Sequence, residues 1–453
     1  MFIRVLLSCL RRAPRAACDN AIAIIAGRNL MPRMLDTVRA LPRSHALALA
    51  AFAAASLLVM AYAVKSGTPL RYSDEKEYVD IARGIVDGEG YRLYGADSAY
   101  RPPAWPLLLA AFLALGLPEA LLPAVSAALL VVAAVGAGVV GARLTGSALG
   151  AIAAPFVLLY PVNAYTATTL YPQALATAAL MLLVVYASRA GGGPLSTRSA
   201  LTIGLLLAVS VLSVPTMGFS AAVIGLWILV QQRGNRLRYA ATAAVTALVP
   251  VLAWTVYNAH RLGSPVVIST SGGRNLLIGN NASATGSSGV AVDLSAYESA
   301  ARGMNEVDQN RYLQQSAIDW ITDNPSRAAA LYVEKTLNYF APYNPPATAE
   351  QAESPARVAL LVLAFAVMVV GVAVRLGLHR KLSIRPVEWL IMGLFVANAP
   401  VMAVFFTRTR FRQPLDALLL IETAVAAAVI VGLILAHRRE RAGRTTTSAA
   451  TPA

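Results

Sequence analysis

The chain has 453 residues, 57% of them hydrophobic and only 13% charged, with a mean hydropathy of +0.59. Soluble domains carry about 25% charged residues, so the composition excludes a soluble globule and indicates an all-α polytopic membrane protein. The net charge of +15 does not mark a nucleic-acid binder. The basic residues collect in short segments beside apolar runs, as on the cytosolic face of a membrane protein, and no nucleic-acid partner is expected.

In chain order, residues 1–44 form a basic arm poor in acids, set apart as a cytosolic segment. Its opening Met1-Phe2-Ile3-Arg4 reads as a targeting or surface-lying helix; the competing reading is an early start codon, with Met31 or Met34 the first residue. The only cysteines, Cys9 and Cys18, lie in this arm, so no disulfide framework supports the loops. The four histidines are scattered and neither CxxC nor HExxH occurs. No metal site is therefore expected, and a divalent ion has no ligand set to support it.

From residue 45 to 436 the hydropathy predicts about ten spans, near 45–64, 120–143, 147–166, 170–188, 199–214, 217–231, 239–257, 356–375, 387–406 and 414–436. The stretch 104–118 is apolar but short, which predicts an interfacial or half-inserted helix. With the N-terminus in the cytosol, Arg143, Arg189, Arg198, Arg236, Arg375, Arg380 and Arg438 all fall on the cytosolic face, as does a basic tail at 437–453. Two large loops, about 65–103 and 258–355, then face the other side and carry 16 of the 23 acidic residues. An inner-membrane protein of a bacterium, with its chemistry facing the periplasm or exterior, is the expectation.

The first loop holds an acidic helix. Tyr78, Ile81, Ala82 and Ile85 recur at helical spacing, Ser73 is placed to cap, Asp74 and Glu75 occupy the first turn, and Gly88 ends it. In the second loop, Ser269 to Gly289 reads as irregular, and segments near 308–323 and 326–340 read as helices separated by Asn324-Pro325.

Several residues are candidates for chemistry. A carboxylate in a first helical turn is held ionised by the helix dipole and can act as a general base; Asp74 and Glu75 fit that role, or merely complement the helix end. Arg101 precedes two prolines, which bias its backbone to an extended conformation. A guanidinium so fixed suits a phosphate, or it anchors in lipid headgroups. Arg408, Arg410 and Arg412 stand against the charge bias of the other loops, at the start of the last span, and form an anion site by charge and helix N-terminus. Glu422 lies inside that span, where acids are costly; it is a candidate substrate-lining residue or the partner of an arginine. Arg274 and Asn275, in Gly272-Gly273-Arg274-Asn275, are candidates for the acceptor side.

In order, Asp74-Glu75, Arg101-Pro102-Pro103, Trp254 to Pro265 and Arg410-Phe411-Arg412-Gln413-Pro414 resemble membrane glycosyltransferases of the GT-C fold, in particular the protein O-mannosyltransferase and lipid A aminoarabinose transferase families (glycosyltransferase family 39-like). The resemblance spans roughly residues 45–436. It implies transfer of a sugar from a polyprenyl-phosphate donor to an extracytoplasmic lipid, glycan or protein, with Asp74 as the first-loop acid and Glu75 its neighbour. It also implies that Arg101 and Arg410, with Arg412 beside it, lie at the donor phosphate. Two positions depart from the pattern: Gln173 stands where many relatives carry an acid, and Val214 precedes Pro215 where many carry arginine. A transporter or flippase for a lipid-linked glycan, a non-catalytic partner in its assembly, and a glycan polymerase or ligase are the alternatives.

Overall fold

The computed structural model describes residues 43–189, 196–232, 234–287, 292–344 and 354–448. The chain divides into two units, Met1–Ala50 and Ala51–Ala453; in the first, only the opening of a helix at Arg43 is described, and nearly all of the basic arm lies outside the described residues.

Helices dominate. In chain order they are α1 (Arg43–Ser66), α2 (Ser73–Val86), α3 (Ala104–Ala114), α4 (Leu122–Thr145), α5 (Ala153–Leu159), α6 (Pro161–Ala167), α7 (Gln173–Ala187), α8 (Thr197–Ser213) and α9 (Gly218–Gln231). There follow α10 (Arg236–Leu262), α11 (Gly272–Gly279), α12 (Ser295–Ala300), α13 (Glu306–Asp323), α14 (Pro325–Tyr339), α15 (Pro355–Gly377), α16 (Pro386–Ala403) and α17 (Thr409–Ser448). Among the described residues the strands are one two-residue hairpin, β1 (Arg92–Leu93) against β2 (Ala96–Asp97).

Among the described residues, six helical segments are long and apolar enough to cross a bilayer: Leu49–Ser66, Glu119–Thr145, Arg236–Leu262, Pro355–Arg380, Pro386–Ala403 and Thr409–Arg438. Leucines on their outer faces, such as Leu57 and Leu363, are exposed, as lipid contact requires. The chain is an integral, multi-pass membrane protein. The ten expected spans each fall on helix, but four do not have full-length form. One is α5–α6, bent by 60° at Tyr160, where Pro161 cannot continue the hydrogen-bond ladder. The other three are α7, α8 and α9, with 15, 17 and 14 residues; at 1.5 Å per residue these reach only about 21–26 Å, short of the ~30 Å hydrocarbon layer. Hydropathy is equally high for a short helix packed inside the bundle, as α7 is: its Leu180, Met181, Leu183 and Val184 are fully buried in the main core with Ala137 of α4 and Leu418 of α17, whereas α8 and α9 keep exposed apolar side chains such as Leu205 and Leu226. The apolar stretch 104–118 forms the short, eleven-residue helix α3.

The second loop departs from its expected irregularity. Residues 272–279 are helical, and the glycines there serve close approach. A Cβ on Gly273 would lie 2.1 Å from the Asn310 carbonyl oxygen of α13, and one on Gly279 would lie 1.7 Å from that of Phe405. Leu277, Leu313, Ala317 and Phe406 close a second, smaller core there. This core joins the loop to the chain entering α17 and so fixes the arginines that follow.

Candidate active site

α2 begins with its four first N–H groups needing acceptors. Ser73 was expected to cap it, but the cap residue is Tyr72 and no side-chain hydroxyl caps the turn. The acceptor is Glu75, 1% exposed: its Oε2 accepts from the backbone N–H groups of Arg71 and Tyr72, each at 3.0 Å, and its Oε1 from that of Leu170 at 2.9 Å. Glu75 thereby ties the first loop to the turn after α6. This leaves Asp74, on the adjacent face, as the acid presented outward.

Asp74 sits between two guanidiniums from distant parts of the chain. Oδ1 accepts from Arg101 Nη2 at 2.6 Å and Oδ2 from Arg410 Nη1 at 3.4 Å. Arg101 is shared with a second acid, donating from Nε to Glu77 Oε2 at 2.6 Å, and lies against the rings of Tyr78 and Tyr100, 5.2 and 5.0 Å from their centroids. Glu77 also accepts a 2.6 Å bond from the Tyr94 hydroxyl. Tyr94 is at the tip of the β-hairpin, with φ 52°. The hairpin is pinned from below: the Tyr91 hydroxyl donates to the Arg101 carbonyl at 2.7 Å, and its ring packs on Trp254 of α10 at 4.8 Å. Thus the Arg101-Pro102-Pro103 step is positioned through its backbone, and the side chain is left to meet the acids.

Burial pushes the Asp74 carboxyl up, but the charges of Arg101 and Arg410, with their hydrogen bonds, outweigh it and hold the group below its ordinary 3.8. Burial likewise opposes the charge on Arg101, while Tyr78, Asp74 and Glu77 more than compensate and raise it. Desolvation pushes the hydroxyls of Tyr78 and Tyr100 up, and Tyr94 is raised to about 12, chiefly by its bond to Glu77. All three tyrosines stay neutral at physiological pH.

Arg410 lies over Tyr171 at 4.7 Å and over its neighbour Phe411 at 5.0 Å, and its Nε is buried without a hydrogen-bond partner among the described residues. Beside it, Arg408 is lowered to about 10 by burial and by the like charge of Arg410. Positive charge is therefore in excess at this corner, and an anion placed there would relieve it.

The other sequence candidates divide. Arg274 bonds Glu298 at 2.9 Å and lies beside Tyr100, one ring away from Arg101; Asn275 is half-buried on the same helix. Arg412 and Glu422 do not join Asp74. Arg412 points into the bundle, 1% exposed, bonded to Asp416 at 2.8 Å and to the Tyr339 and Ala341 carbonyls, with Phe365 4.5 Å away. Two residues along a helix turn the side chain by about 200°, so Arg410 and Arg412 face opposite ways. Glu422 is twelve residues on from Arg410, about 18 Å along the axis. It lies 3.9 Å from Arg375, which bonds Glu388 at 2.6 Å, where α15 ends and α16 begins. Gln173 is buried with its Oε1 unpartnered among the described residues, and Val214 is buried at the turn into Pro215.

Sequence reasoning missed Glu77, Tyr94 and Tyr171 as members of the site. Glu77 was legible, because it stands three residues after Asp74 and so shares its face of α2. Tyr94 carried no such signal. Among the described residues, no group of three or more His, Cys, Asp or Glu side chains is placed to hold a metal ion.

No protein-family profile matches the chain, and no curated protein matches it. In structure it is similar to ArnT from Cupriavidus metallidurans bound to undecaprenyl phosphate, at 15% identity and TM-score 0.41, covering 84% of this chain and 78% of that one. It is also similar to the apo state of the same protein, at 15% identity and TM-score 0.37, covering 84% and 77%.

Proposed function

We propose that the chain is a membrane glycosyltransferase that moves a sugar from a polyprenyl-phosphate donor to an extracytoplasmic lipid, glycan or protein. The observation that carries this reading is the Asp74 carboxylate held between Arg101 and Arg410, an acid and two cations that the motif order in the sequence also sets together. A polyprenyl donor enters from the lipid, so its phosphate stays at the depth of the span ends. Arg410 lies at the start of the Thr409–Arg438 span, and Asp74 brings Arg101 beside it.

In the reaction the acceptor oxygen attacks the anomeric carbon and the carbon–oxygen bond to the phosphate breaks, its electron pair passing to the phosphate oxygen. Charge grows on the phosphate, and fixed guanidiniums stabilise it. Asp74 takes the acceptor's proton from the opposite face of the sugar, which inverts the anomeric centre. A carboxylate lowered by two arginines is a weak base at rest. Once the donor phosphate takes a share of Arg101 and Arg410, Asp74 becomes more basic, so donor binding prepares the proton acceptor. Glu75 acts through the backbone it holds, and Arg274 and Asn275 border the acceptor side.

Binding of undecaprenyl phosphate to the purified chain tests the assignment apart from turnover. Arg101→Ala and Arg410→Ala should each weaken it by about tenfold or more, the size of a lost charge-assisted hydrogen bond, whereas Asp74→Asn should bind at least as tightly as the wild type. Unchanged binding in both arginine variants would remove these residues from the donor phosphate.

A further inference from the structure

A separate group of cations and rings stands apart from Asp74. Arg71, in the chain entering α2, and Arg357, in the first turn of α15, both lie over the ring of Tyr165, each 5.1 Å from its centroid. Their guanidinium carbons are therefore no more than about twice that distance apart. Both arginines are exposed and Tyr165 is half-buried. Neither makes an ion pair with an acid among the described residues. Arg71 is held in place instead, donating from Nη2 to the Thr168 hydroxyl at 2.6 Å and to its carbonyl at 3.1 Å. The Tyr165 hydroxyl hydrogen-bonds that of Tyr72, whose ring lies 5.8 Å from Tyr171, the ring under Arg410. Two like charges drawn to one ring repel each other, an anion within reach of both offsets that repulsion, and the planar donor forks of two arginines suit the oxygens of a phosphate.

We propose that Arg71 and Arg357, over Tyr165, form a second anion subsite that takes a phosphate-class oxyanion, distinct from the donor phosphate at Arg410. Tyr72 links the two. The oxyanion comes either from a phospholipid headgroup beside the spans or from a phosphate carried by a water-soluble or acceptor molecule. The subsite does not depend on sugar transfer, so its test and that of the transferase reading fail separately.

The experiment measures binding of two probes to the delipidated full-length chain in detergent: short-chain phosphatidylglycerol and inorganic phosphate. At least one should bind the wild type. Arg71→Gln and Arg357→Gln should each weaken it by about tenfold. Arg357 makes only its ring contact among the described residues, so its variant keeps the fold if Arg71→Gln, which also loses Thr168, does not. Preference for phosphatidylglycerol identifies the headgroup as the source, and equal or tighter binding of inorganic phosphate identifies a soluble phosphate. The proposal is overturned if neither probe binds the wild type, or if Arg357→Gln binds as well as the wild type does.

Discussion

Asp74 and Glu75 are neighbours in sequence with opposite fates, and the difference is one of direction. Glu75 turns inward and serves three backbone N–H groups; Asp74 turns outward to two arginines. Glu75→Gln presents one acceptor oxygen where two were used, so at least one buried N–H loses its partner. That costs about 1–3 kcal/mol, visible as a lowered unfolding temperature in detergent. Asp74→Asn should leave that temperature nearly unchanged. The arginines hold Asp74 below 3.8 in the donor-free chain, so the acid limb of kcat/KM, which reports the free enzyme, should fall below that pH. An acid limb of kcat/KM well above pH 4 would assign the proton to another group. The acid pair and the Arg-Pro-Pro step were legible because each is a local pattern. Which acid faces the site was not, because it is decided by the Leu170 amide, 95 positions away.

Helix periodicity explains the contrast between Arg410 and Arg412, which the charge pattern alone presents as one cluster. Arg412 belongs to a buried ion pair with Asp416 whose removal leaves an uncompensated charge inside the bundle. Arg412→Ala should destabilise the chain by about 3–5 kcal/mol, whereas Arg410→Ala should leave stability close to wild type and affect ligand binding. The second loop offers a titration at the same scale. Lys335 of α14 is 1% exposed and donates to the Gly279 carbonyl at 3.1 Å and to Asn280 Oδ1 at 2.9 Å, holding the end of α11; burial lowers it to about 8 from 10.5. Between those values the unfolded chain binds a proton that the folded chain does not, so stability rises with pH across that window. The slope should be larger in the wild type than in Lys335→Met, and identical slopes would show that Lys335 titrates normally. The loop's glycine-rich stretch looked irregular in sequence because the backbones it approaches, at Asn310 and Phe405, are remote along the chain.

Across the whole molecule, the membrane class was plain from composition, because the bilayer acts on every span in the same way. The number of full-length crossings was not, since hydropathy marks an apolar run without showing where its helix bends or ends, and a helix buried by its neighbours, such as α7, scores like one in lipid. The long helix α17 connects the two ends. It opens at Arg410 beside Asp74 and carries Glu422 down to Arg375 and Glu388, so the intramembrane acid that looked functional lies with a charge cluster at the other end of the bundle. The parts that converge on Asp74 come from α2, the Arg-Pro-Pro step, the turn after α6 and the start of α17, an arrangement that only the assembled bundle creates.

The most direct measurement is sugar transfer in membranes that carry the chain, from radiolabelled polyprenyl-phosphate sugars to extracted lipid, glycan and protein fractions. Wild type and Asp74→Asn should be compared at equal membrane insertion. Label should move to one fraction with the wild type and fall by about 10²-fold or more with Asp74→Asn, the range of a lost general base. Transfer by Asp74→Asn at the wild-type rate would contradict the central role given to that carboxylate.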